Sequence, residues 1–215
     1  LRLDSFSLKI AESIQSGRKT GLTFAPEAGT QRLNDIINKD IDNSQMMACI
    51  KSALSSGWEK IKLYFMIGLP FETYKDLEGI CSTVDSIISM AKDMIGKKKM
   101  NRFNINVSIN AFCPKPHTPF QWARQDDIET LKSKFEFIRS RFPKKYTKLS
   151  WSLPEKSIVE GALSRADDRI SKVVEKAYLL GARLDNWTDF FEYDIWDEAF
   201  KSFGINIEEY AVRNI

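Results

Sequence analysis

The chain has 215 residues, 43% hydrophobic and 28% charged, which is enough to bury one sizeable core and a small appendage and excludes a disordered chain. A net charge of +3 is too small to imply a polyanionic partner by itself. No apolar run approaches the ~18 residues of a membrane span, and LRLDSFSLKI has no secretory signal, so the chain is read as cytoplasmic and without membrane contact.

The opening residues alternate, with Leu1 and Leu3 apolar and neither an initiating Met nor a cap before them, so the chain reads as a fragment that begins inside a strand. A helical pattern through Leu8, Ile10, Ala11 and Ile14 follows, closed by Gly17, Arg18 and Lys19. Next comes a short strand, Gly21 to Ala25, that Pro26 is expected to stop. Two helices are expected from Thr30 to Lys39, with Leu33, Ile36 and Ile37 on one side, and from Ser44 to Ser55, with Met46, Met47, Ile50, Ala53 and Leu54 together. The nearly continuous apolar run KIKLYFMIG, residues 60 to 68, suits a strand covered on both faces. The clearest helix runs from Tyr74 to Ile95, where Leu77, Ile80, Cys81, Val84, Ile87, Ile88 and Ala91 recur at three- and four-residue steps; Gly96 and Lys97 to Lys99 stop it. A strand from Phe103 to Phe112, the Pro-rich CPKPHTPF and a helix from Asp126 to Phe142 complete this part.

Strands near residues 1, 21, 61 and 103, each followed by a helix, imply parallel strands with right-handed crossovers, in an open sheet or a barrel segment. The composition then changes. Seven Lys or Arg stand between Lys132 and Lys148 against Glu136 alone, and eight Asp or Glu between Asp185 and Glu209 against Lys201 alone. The expected organisation is an α/β domain over 1–145 and a mainly helical extension over 146–215, with helices near Glu155–Ser164, Asp168–Leu180 and Tyr193–Phe203.

Ligands of parallel α/β folds gather at the carboxyl ends of the strands, which directs attention to the residues leaving each one. Glu27 lies just past its strand, beside a glycine that lets backbone approach a ligand. It can accept hydrogen bonds from hydroxyls or an amino group, or serve as an acid favoured by the helix dipole. Gly68, Leu69 and Pro70 offer a flat backbone edge on which a planar base can stack, or simply a tight turn with Glu72 as first-turn acid. His117, the only histidine, supports no Ser-His-Asp triad. The cysteines stand 32 residues apart with no CxxC or CxxxCxxC spacing, which argues for reduced structural thiols and no metal site in this chain. No GxxxxGK[ST], GxGxxG or HExxH occurs, so a nucleoside-triphosphate enzyme is not expected.

Taken in order, PEAGTQRL, INK, KLYFMIGLPFET and NAFCPKPHTPFQW resemble the second half of the radical S-adenosylmethionine (SAM) barrel, over most of residues 1 to 142. The likeness is to the branch with a cobalamin-binding-like domain ahead of the barrel, to which methylthiotransferases are related. The resemblance implies strands three to six of a partial TIM-like (β/α) barrel. In that family a four-iron, four-sulfur cluster on three cysteines binds SAM, whose reductive cleavage generates a 5′-deoxyadenosyl radical. By the same resemblance Glu27, with Ala28, Gly29 and Thr30 as its turn, contacts the ribose or amino group of SAM, and Lys39 meets its carboxylate. Ile67, Gly68, Leu69 and Pro70 pack on the adenine, followed by Glu72, and Phe112 and Cys113 lie near the adenine edge. Arg2 and Asp4 end the third strand. The chain lacks the cluster motif, so it is expected to be inactive alone and to need the preceding part of the polypeptide. Catalytic residues are not assigned. A homodimer through the opening strand is also expected. The alternative is a non-enzymatic module that binds RNA or a partner protein through Lys132 to Lys148 and the acidic tail.

Overall fold

The structure is a computed structural model that describes residues 21–39, 42–96 and 100–213. The expected opening strand with Arg2 and Asp4, the dimer built on it, the helix through Ile14 and Lys97 to Lys99 lie outside the described residues. The described chain divides into two units. The first contains the residues through Ile67, Phe71–Asn110 and Lys134–Trp151; the second contains Gly68–Pro70, Ala111–Ser133 and the residues from Ser152 onward.

The first unit is built on a sheet in the order β1 (Leu22–Glu27), β2 (Lys60–Ile67), β3 (Asn104–Ala111), β4 (Thr147–Trp151). β1 pairs with β2 and β3 with β4 in parallel. Helices separate the strands in sequence: α1 (Gln31–Ile36) and α2 (Asn43–Ser55) between β1 and β2, α3 (Tyr74–Met94) between β2 and β3, α4 (Ile128–Arg141) between β3 and β4. The expected α/β class with a parallel sheet is therefore present.

β1 outruns its expected end. The register with β2 shifts between Phe24 and Glu27, so Pro26 falls in an irregularity of the ladder, where its missing N–H costs no pairing bond. β2 also departs from expectation: Ile61, Leu63, Phe65 and Ile67 are buried, whereas Lys60 and Lys62 are exposed and Tyr64 and Met66 half-buried. An apolar stretch that reads as continuous is in fact alternating, because Tyr64 and Met66 are apolar enough to hide the period of two.

α1 is shorter than its pattern, ending where Asn38 turns left-handed (φ 53°) and the Lys39 N–H bonds the Asn34 carbonyl at 2.9 Å. α2 starts on Asp42, whose carboxylate accepts the Ser44 N–H at 2.7 Å. α3 matches its sequence pattern closely and buries Leu77, Ile80, Cys81, Val84, Ile87, Ile88 and Ala91. α4 begins two residues later than expected because Asp127 accepts the Thr130 N–H at 2.8 Å and acts as its cap.

β4 is a strand that the sequence pattern did not announce, ahead of the helices beyond it. It lies in register with β3, Ile105 opposite Thr147 through Ile109 opposite Trp151, and Trp151 stacks on Phe135 of α4 at 5.6 Å. Five half-polar residues after a basic run carry too little alternation to read as a strand.

The second unit holds α5 (Pro154–Ser164), α6 (Ile170–Leu180), a 3-10 turn (Thr188–Phe190), α7 (Tyr193–Lys201) and α8 (Ile207–Val212). Its core gathers Ile158, Ala162, Val173, Ala177, Phe200 and Ile207. Arg165, buried, ties this unit together by donating to the carbonyls of Ala123 and Ala211 at 3.1 Å and of Arg213 at 2.6 Å. Among the described residues no helix is long and apolar enough to cross a membrane.

Candidate functional site

In the first unit the carboxyl end of β1 delivers Glu27 in a left-handed backbone conformation, φ 67°, which a residue with a Cβ adopts at a cost. Its Oε1 accepts from the Lys39 ammonium at 2.7 Å, and the Glu27 side chain is 20% exposed. The turn after it is held by the Ala28 N–H, which reaches the Pro26 carbonyl at 2.8 Å and Oδ1 of the fully buried Asn34 at 3.2 Å. Glu27 and Lys39, assigned to the same cofactor by resemblance, are thus brought into one ion pair.

Gly29 serves packing. A Cβ on it would lie 2.1 Å from the Asp76 carbonyl oxygen, and one on Gly79 would lie 2.3 Å from the Gly29 carbonyl oxygen. The two glycines allow the turn after β1 to touch the backbone of α3, a role their neighbours in sequence do not announce. Thr30 caps α1, accepting the Leu33 N–H at 3.3 Å.

Asp76, in the first turn of α3, is a centre that sequence reasoning passed over. Its carboxylate accepts from the Thr30 hydroxyl, the Arg32 guanidinium, the Thr73 N–H at 2.8 Å and the Thr73 hydroxyl at 2.7 Å. Burial acts to raise its pKa, yet the donors from Thr30, Thr73 and Arg32 together outweigh it and hold the carboxyl below the ordinary carboxylate range. Thr73 followed three residues later by an acid was the available signal, a capping box.

Glu72, expected beside the cofactor, forms an ion pair with Lys134 of α4 at 2.7 Å, the two side chains 3% and 15% exposed. Ile67 ends β2 with its side chain fully buried.

The second unit holds the other assigned residues. Gly68 is buried with φ 76°, and a Cβ there would meet Oδ2 of Asp126 at 3.0 Å. Leu69 is buried and Pro70 half-buried. Phe112 is half-buried and meets Phe120 edge to face at 6.3 Å. The Cys113 thiol is pushed up, burial first, with Lys115 acting the other way. Lys115 itself binds Glu160 and the Ser164 hydroxyl, the latter at 3.0 Å. Cys81 is pushed up to about 11, chiefly by burial, and no group of three or more His, Cys, Asp or Glu side chains that could hold a metal occurs among the described residues.

Three of the seven cations of the basic stretch are in ion pairs, all three on α4. Lys132 pairs with Glu129 and Glu155, Lys134 with Glu72 and Arg139 with Glu136, and Arg141 lies over the Phe137 ring at 3.8 Å.

No model of a known protein family matches the chain. It is similar to an uncharacterized protein of Methanocaldococcus jannaschii, 34% identical over 154 residues, which cover 72% of this chain and 32% of that protein. The chain thus spans about a third of the length of the curated relative it matches.

Proposed function

We propose that this chain is the adenosyl-binding part of a radical SAM iron-sulfur enzyme. In this reading β1 to β3 take the fourth to sixth strand places of a partial (β/α) barrel, with β4 a further parallel strand beside them. The observation that carries it is Glu27: an acid at the carboxyl end of a parallel strand, in a strained left-handed conformation, with its carboxylate partly open to solvent. Non-glycine residues in this region cost roughly 1–3 kcal/mol and cluster where function holds them.

The pair Glu27 and Lys39 suits the ribose and the carboxylate of SAM. Glu27 can accept from two ribose hydroxyls, and the Lys39 ammonium, 40% exposed, can exchange the Glu27 oxygen for the carboxylate of SAM. The residues present do not fit the cluster, since the sequence has no CxxxCxxC and the described residues contain no metal-holding group, so no step is derived through it. In a longer polypeptide that holds the cluster, SAM would supply hydrogen-abstracting radical chemistry, and this chain's Glu27 and Lys39 would bind and orient it. Cobalamin and the substrate are assigned no residue by this reading.

The test is 5′-deoxyadenosine formation by a polypeptide extended upstream to include cluster cysteines, reduced without oxygen. Formation dependent on iron and SAM is expected. No product from an iron-loaded protein with those cysteines intact overturns the proposal.

A further inference from the structure

Parallel sheets are ordinarily covered on both faces. In the first unit one face is: Leu22, Phe24, Ile61, Leu63, Phe65, Ile105, Val107 and Ile109 are buried. The alternate positions are mostly polar, with Ala25 on β1 and Met66 on β2 the apolar exceptions. They carry Thr23 on β1, Lys60, Lys62 and Tyr64 on β2, Asn104, Asn106, Ser108 and Asn110 on β3, and Lys148 and Ser150 on β4.

The register aligns these side chains in rows. Thr23 stands opposite Lys62, Asn106 opposite Lys148 and Ser108 opposite Ser150. The Asn104 N–H donates to the Glu59 carbonyl at 2.9 Å, as the Ile105 N–H donates to Tyr146. The latter bond accompanies the pairing of Ile105 with Thr147, so the former pairs Asn104 with Lys60 and hence Asn106 with Lys62. One row therefore crosses the whole sheet: Thr23, Lys62, Asn106, Lys148. The next level up the strands carries Tyr64, Ser108 and Ser150.

Across β2, β3 and β4 the charge on this face has one sign, while β1 ends on Glu27. No Asp or Glu occupies the alternate positions of β2, β3 or β4. Among the described residues neither Lys62 nor Lys148 makes an ion pair; Lys62 lies over the Tyr64 ring at 5.6 Å. Adjacent strands are ~4.8 Å apart, which puts the Lys62 and Lys148 backbones roughly 10 Å apart with Asn106 between them. Two lysines can close on one phosphate from that separation while the Asn106 amide donates from below. From this row to the carboxyl ends of the strands is about 13 Å, the rise of four residues.

We propose that the polar face of the sheet binds a small phosphate monoester, with its phosphate held by Lys62, Asn106 and Lys148. The rest of the ligand lies along Tyr64, Ser108 and Ser150 toward the strand ends. Calling that ligand the substrate rests on the radical SAM reading, but its binding does not. The test therefore uses this chain alone, with neither SAM nor iron.

Calorimetric titration with inorganic phosphate and with ribose 5-phosphate, at low ionic strength, should show saturable binding. Lys62→Met and Lys148→Met should each weaken it about tenfold, Lys62→Arg should retain most of it, and Lys144→Met, at an exposed position off the sheet, should leave it unchanged. Absence of saturable binding by either probe overturns the proposal, as does equal weakening by Lys144→Met, which marks diffuse attraction. Binding of a single-stranded oligouridylate without binding of either monoester also overturns it and moves the phosphate to a nucleic-acid backbone. Both lysines are exposed, so their substitution tests binding without disturbing the core.

Discussion

Asp76 illustrates how one side chain can be committed to structure while looking available for chemistry. Four donors converge on its carboxylate, and Arg32 at the same oxygen is half-exposed, so its share is screened by solvent. The folded carboxyl titrates below its unfolded value near ~3.9. The stability it contributes is therefore present above that value and lost as pH falls through the folded one. Asp76→Asn is expected to lower stability by about 2 kcal/mol at pH 7. In urea unfolding the gap from the parent chain should narrow as pH drops below ~4, and a gap that stays constant from pH 7 to acid would refute the assignment. Glu27 reads almost identically in the sequence, as an acid after a strand, but among the described residues its ion-pair partner is Lys39, and it is partly exposed.

Elements show the same division between local and distant causes. The 21-residue α3 was legible because its apolar period persists over many turns; β4 and the six-residue α8 were not, being too short to establish a period. The docking of α3 on the turn after β1 depends on Gly29 and Gly79 meeting backbone to backbone. Gly79→Ala is expected to cost about 3 kcal/mol, since neither backbone can yield a full ångström. Gly96→Ala, where an added Cβ meets nothing within 4 Å, should change stability by no more than about 0.5 kcal/mol. Thermal unfolding of the two variants checks the contrast, and similar melting temperatures would show that the glycine contact is not required.

For the whole molecule, the prediction concerns which residues activity needs. In a polypeptide long enough to hold the cluster, Glu27→Ala should reduce 5′-deoxyadenosine formation at least about tenfold, because a carboxylate that orients ribose loses charge-assisted hydrogen bonds. Charge reversal at Lys144 and Lys145 should leave the rate unchanged. The opposite pattern, read by product chromatography, would favour binding through the basic segment instead.

The α/β class, the alternation of strands and helices from β1 to α4, and the buried stripes of α2 and α3 were legible in the sequence alone, because they rest on patterns that are local in the chain. The tertiary structure decided which polar side chains are spent on the fold. Glu72 meets Lys134 across 62 positions and Asp76 meets Arg32 across 44; pairs so far apart leave no local pattern. It also decided that Lys62, Asn106 and Lys148 share a row, since strand register is set by pairing between strands and not within any one of them.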